Sequence, residues 1–132
     1  MKPPAAVIVH SLDQARAALG AGLPVTLLSA PGAGIYAGAG WWRALMQQAG
    51  AGDAHILDCG DAPGRALEAA RAGQKRVILR ADAAIMAETS AIAATYGCAV
   101  MAEPPPSLDL AQHGAMRRLL DWLSPCRPNP PA

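Results

Sequence analysis

The strongest constraint on this chain is a kind of apolar run that recurs along it. Ala6-Val7-Ile8-Val9, Val25-Thr26-Leu27-Leu28 and Val77-Ile78-Leu79 carry bulky apolar residues at both odd and even positions. A strand with one face in water alternates apolar and polar residues. These runs do not alternate, so both faces must be covered, as in a parallel sheet.

Helical patterns separate the runs. Ser11 stands at an N-cap position before Leu12, Ala15, Ala18 and Leu19, and Gly20 and Gly22 stop that segment. Trp41, Leu45, Met46 and Ala49 mark one face of a second helix, closed by Gly50 and Gly52. A third strand, Ala54 to Cys59, leads to Asp61 and Pro63, which signal the start of a third helix running to Gly73. A fourth strand, Arg76 to Arg80, precedes a helix from Ala83 to Tyr96 that Asp82 can cap. A fifth strand, Cys98 to Ala102, runs into Pro104-Pro105-Pro106, and a last helix is expected over residues 108–123.

This alternation predicts a doubly wound α/β fold: a parallel five-stranded sheet with helices on both faces, a flavodoxin-like three-layer sandwich of strand order 2-1-3-4-5. One domain is expected over residues 1–124, with a Pro-rich tail over 125–132. With 132 residues and 52% hydrophobic side chains, a core can form without disulfides or metal.

Lys and Arg total 11 against 10 Asp and Glu, so no field draws nucleic acid or an anionic membrane. The apolar run at 5–9 is too short for a signal-peptide core, and no stretch approaches the roughly 20 residues that span a bilayer. Cys59, Cys98 and Cys126 are odd in number and widely spaced, which fits reduced thiols in a cytoplasmic protein. His10, His55 and His113 lie on separate elements, without metal-ligand spacing.

Ligands of parallel α/β sheets bind outside the carboxyl ends of the strands. Those ends carry His10 and Ser11, then Ser29, then Asp58, Cys59 and Asp61, then Arg80 and Asp82, then Glu103. Several of these are also ordinary helix caps. The second end continues into residues 29–40, where Gly32, Gly34, Gly38 and Gly40 fall between a strand and a helix. Glycines there let backbone N–H groups approach an anion, or serve a tight turn and close helix packing.

Gly32-Ala33-Gly34 with Gly38 is one residue off the dinucleotide fingerprint, and it follows the second strand rather than the first. A P-loop is excluded because no Lys-Ser or Lys-Thr follows. Asp58 occupies the place of a receiver-domain phosphoacceptor. The acidic residues that hold Mg²⁺ there are replaced by His10-Ser11, and Glu103 stands where the lysine would be.

The expected site is therefore a small-molecule site for an anionic or nucleotide-like group, drawn from His10, Ser29, Gly32, Gly34, Gly38, Asp58, Cys59 and Asp61, with no catalytic residue and no cofactor assigned. A protein-interaction module without catalysis is the alternative, forming a homodimer through the Ala-rich helix at 83–96 or the last helix. A third reading is a Cys59 nucleophile beside His10.

Leu28-Ser29-Ala30-Pro31-Gly32-Ala33-Gly34 followed by Trp41-Trp42, together with Asp58-Cys59-Gly60-Asp61, resembles a group of small uncharacterised bacterial α/β proteins. The resemblance implies an α/β fold over nearly the whole chain, and no activity.

Overall fold

The computed structural model describes residues 4–125, so Cys126 and all but the first residue of the Pro-rich tail lie outside the described residues. The strands are β1 (Ala5–Ile8), β2 (Val25–Leu28), β3 (His55–Asp58), β4 (Arg76–Ile78), β5 (Ala99–Met101) and β6 (Ser107–Asp109). The helices are α1 (Leu12–Gly20), α2 (Ala33–Tyr36), α3 (Gly38–Ala49), α4 (Pro63–Arg71), α5 (Ala83–Ala94) and α6 (Ala115–Leu123).

Local chemistry explains most boundaries. The Ser11 hydroxyl accepts from the Gln14 N–H at 3.2 Å and caps α1, and Asp82 accepts from the Ile85 N–H at 2.9 Å and caps α5. Gly50, at φ 77°, ends α3 in the left-handed conformation that glycine enters without a Cβ penalty.

All strand pairs are parallel, and the order is β5-β4-β3-β2-β1-β6. The expected five strands in the order 2-1-3-4-5 are thus corrected to six, with β1 through β5 laid side by side in chain order. The sixth strand comes from residues expected to begin the last helix. Ser107-Leu108-Asp109-Leu110 alternates polar and apolar with the period of a strand, and α6 starts only after Gly114 at φ 77°.

Strand order also decides the layers. When each crossover adds its strand in the same direction, right-handed connections put every helix on the same face. Accordingly α1 packs on α3, α3 on α4 and α4 on α5. Val7, Leu27, Leu57, Val77 and Leu108 form one core with Ala15, Trp42, Met46, Ala69 and Leu119 of the helices. The expected helices on both faces are replaced by helices on one.

The opposite face carries Ile8, Leu28, Ile56, Ile78 and Met101, one from each of β1 to β5, and Leu28, Ile56 and Ile78 are at most 2% exposed. The connection between the edge strands shows that the sheet is curved. β5 and β6 are opposite edges, yet only residues 102–106 join Met101 to Ser107. Six residue steps span at most about 21 Å. A flat sheet would separate its edge strands by about 24 Å, and the register offsets Met101 from Ser107 by about 13 Å more along the strands. The sheet is therefore curved, with the helices on its outer side and the apolar stripe on its inner side.

Burial is uneven among the helices. In α5 only Thr89 and Ala93 are fully buried, while Ile85 and Ile92 on the helix and Tyr96 just beyond it are exposed.

Candidate functional site

The strand ladders run past the formal strand ends, as Val9 N–H donates to Leu28 O and Arg80 N–H to Gly60 O. Side chains one pleat beyond the apolar stripe therefore keep its parity. His10 follows Ile8, Asp58 follows Ile56 and Arg80 follows Ile78 on the inner face, and Asp109 pairs in register with Ile8. The carboxyl edge of the curled sheet thus gathers His10, Asp58, Arg80 and Asp109 from four strands.

They form two pairs. Arg80 donates from Nη2 to Asp58 Oδ2 at 3.4 Å, and its side chain is 48% exposed while that of Asp58 is 2%. Asp58 Oδ1 accepts from the backbone N–H of Gly60 at 2.8 Å and of Gly32 at 3.2 Å. One carboxylate therefore pins two turns and orients a guanidinium that stays open to solvent. In the second pair, His10 Nε2 meets Asp109 Oδ1 at 2.7 Å. A carboxylate oxygen accepts, so this contact is a hydrogen bond when Nε2 is the donor.

The glycine stretch lies against this edge, with its backbone donors largely engaged. Gly32 N–H is held by Asp58, and those of Ala33, Ile35, Tyr36 and Ala37 are held by carbonyls of residues 30–33. Gly32, at φ 74°, opens the single turn α2. At Gly34 a Cβ would sit 2.8 Å from Cys59 Sγ and 3.1 Å from Asp58 O, so glycine there lets α2 approach the end of β3. Gly38 breaks the chain between α2 and α3 at φ 88° and faces open space. Ser29, 1% exposed, accepts from the Asp58 N–H at 2.9 Å and donates to Ala30 O.

Ser29, Gly32, Gly34, Asp58 and Cys59 are thus one contiguous cluster. His10 belongs with Asp109, and Asp61 is exposed on the turn after β3. Cys59 is fully buried among the helix-side core residues, on the other face of the sheet from His10. Burial, with the Asp58 charge next in effect, pushes its thiol up to about 12. A thiol in that state is a packing group rather than a nucleophile.

At the opposite, amino edge, Trp42 Nε1 donates to His55 Nδ1 at 3.1 Å, and Gln74 Nε2 to the same nitrogen at 3.0 Å. Indole is only a donor, so His55 Nδ1 is an acceptor and the ring proton is on Nε2. Gln74 Nε2 also donates to Arg76 O at 3.1 Å, which fixes the amide orientation and leaves Gln74 Oε1 without a partner among the described residues. Burial above all holds the His55 ring below its ordinary value.

Two contributors escape sequence reasoning. Asp109 lies on a segment whose leucines also fit a helix, although the alternation from Ser107 to Leu110 was available as a signal. Gln74 stands in a turn, where nothing local marks a buried amide. Among the described residues no group of three or more His, Cys, Asp or Glu side chains could hold a metal ion, and no helix is long and apolar enough to cross a membrane. No family model matches the chain, and no curated protein matches it.

Proposed function

We propose that the protein binds a small anionic molecule at the carboxyl edge of its curled parallel sheet. Arg80 is the charged contact. One observation carries this reading: a guanidinium half open to solvent, steered by a buried carboxylate whose other oxygen is already taken by two backbone donors. Asp58 neutralises part of the charge, yet one 3.4 Å contact leaves most of the five guanidinium donors of Arg80 for a ligand. The glycine turn serves as the wall of this site.

The test is thermal unfolding with phosphate and with malonate at matched ionic strength. Binding stabilises by linkage, so a ligand at 100 times its dissociation constant adds about 2.7 kcal/mol. Wild type is expected to gain Tm, and Arg80→Met to lose that gain. An equal gain in both proteins, or none in wild type, removes the reading.

The exposed apolar side chains of α5 favour a second reading, association of two copies of the chain. Ile85, Ile92 and Tyr96 surround small alanines that permit close helix contact, and Glu88 is the lone charge on the helix. Sedimentation equilibrium that returns the 13.5 kDa mass at every concentration would exclude it.

A further inference from the structure

A cavity of about 590 Å³ opens along α3 and the turn into β3, at the end of the sheet opposite Arg80. Gly40, Arg43, Ala44 and Gln47 line it from α3, at the spacing of three and four that places residues on one helix face. His55, at the first position of β3, lies at its base.

Gly40 lines this cavity, and Gly73 lies beneath the Arg43 side chain. Gly40 lies inside the first turn of α3 with no positive φ, and a Cβ there would meet nothing within 4 Å. Neither backbone nor packing requires glycine at that point, and glycine weakens a helix. Its effect is to leave the cavity open. Gly73, at φ 100°, lies under the Arg43 guanidinium, where a Cβ would come within 3.3 Å of Nη2. A larger side chain there would crowd the guanidinium.

The charges around the base have one dominant sign. Arg43 and Arg76 act on the His55 ring against a single acid, Asp53, and the ring itself is held neutral by burial and by its two donors. The arginine fork on the wall suits a carboxylate or phosphate, which it can grip with two parallel hydrogen bonds. The volume falls within the range of small-molecule sites.

We propose that this cavity is a second ligand site, taking a small molecule with a carboxylate or phosphate group. The oxyanion lies on Arg43 and the Gln47 amide, and the apolar body rests on Ala44. The site is separate from the one at Arg80 and stands or falls independently of it.

Titration of the full chain, followed through its ¹H–¹⁵N spectrum, tests this with phenyl phosphate and benzoate as probes and benzamidine as the cationic control. At least one anion is expected to shift the Gly50 and Gly52 amides and Arg43 Nε saturably, with a Kd below about 5 mM. The tighter of the two identifies the headgroup. Arg43→Met should weaken binding at least about tenfold and Arg43→Lys less, because lysine keeps the charge and loses the fork. Gly40→Leu should block the cavity, and Arg80→Met should leave binding unchanged. No saturable shift with either anion up to about 10 mM overturns the proposal, as do equal shifts from benzamidine, or an Arg43→Met protein that binds like wild type. The two Arg43 variants carry the test if Gly40→Leu does not fold.

Discussion

Asp58→Ala is expected to lower the free energy of unfolding by about 3 kcal/mol, measured as a shifted urea midpoint at unchanged slope. Removing a buried carboxylate can be neutral when an apolar group replaces it and nothing else depends on it. Here two backbone donors depend on it, those of Gly32 and Gly60, at 3.2 and 2.8 Å. Alanine leaves both half-buried donors without their acceptor where a 2% exposed carboxylate stood, and the desolvation cost of those groups decides the outcome. The half-exposed Arg80 contact adds little, because solvent screens it. Asp58→Asn keeps an amide oxygen for the two donors and should lose about half as much. An alanine variant within about 0.5 kcal/mol of wild type would mean that the carboxylate does not hold the glycine turn.

Trp42→Ala should cost about 4 kcal/mol, within the range for deleting a buried aromatic side chain. Trp42 is fully buried, its ring meets His55 edge-on with centroids 5.9 Å apart, and its indole N–H is a donor to His55 Nδ1. Trp42→Phe retains most of the apolar contact and loses the donor, so a cost of about 1 to 2 kcal/mol is expected. Chemical denaturation of the two variants separates packing from hydrogen bonding.

The same network has a pH signature. Burial lowers the His55 value in the folded chain, so the unfolded chain binds a proton first as pH falls. The stability from the neutral, hydrogen-bonded ring is complete above about pH 6.5. It declines below that, by at most about 1.4 kcal/mol per pH unit, until the folded ring itself is protonated. A His55→Asn protein should lack this part of the slope. Identical profiles would show that the ring is not held neutral.

The gathering of polar side chains at the carboxyl ends of the strands was legible in the sequence. His10, Asp58 and Arg80 were all placed at strand ends because a parallel strand that leaves the core must turn polar there, and their parity with Ile8, Ile56 and Ile78 follows from the two-residue period. The role of the glycines was less legible. Composition alone cannot tell a cradle of free N–H groups from a turn that consumes them. The difference lies in Asp58, 26 residues beyond Gly32, reaching back to hold its N–H. The spacing set Trp41 on the apolar face of α3 with Leu45 and Met46, whereas Trp42 is the fully buried one and Trp41 is 40% exposed, and the partner of Trp42, His55, depended on the seating of α3 over β3.

The alternation of helices with short strands buried on both faces can be read in the residue order, because apolar residues at both parities can be satisfied only in a covered parallel sheet. Strand order was decided by the tertiary structure alone. Runs such as Ala6 to Val9 and Val77 to Leu79 present the same apolar surface to any neighbour, and backbone hydrogen bonds between strands carry no side-chain code. Only the assembled chain, with β6 beside β1 and five residues left to bridge from β5, forces the sheet to curl and brings Asp109 to His10 across 99 positions.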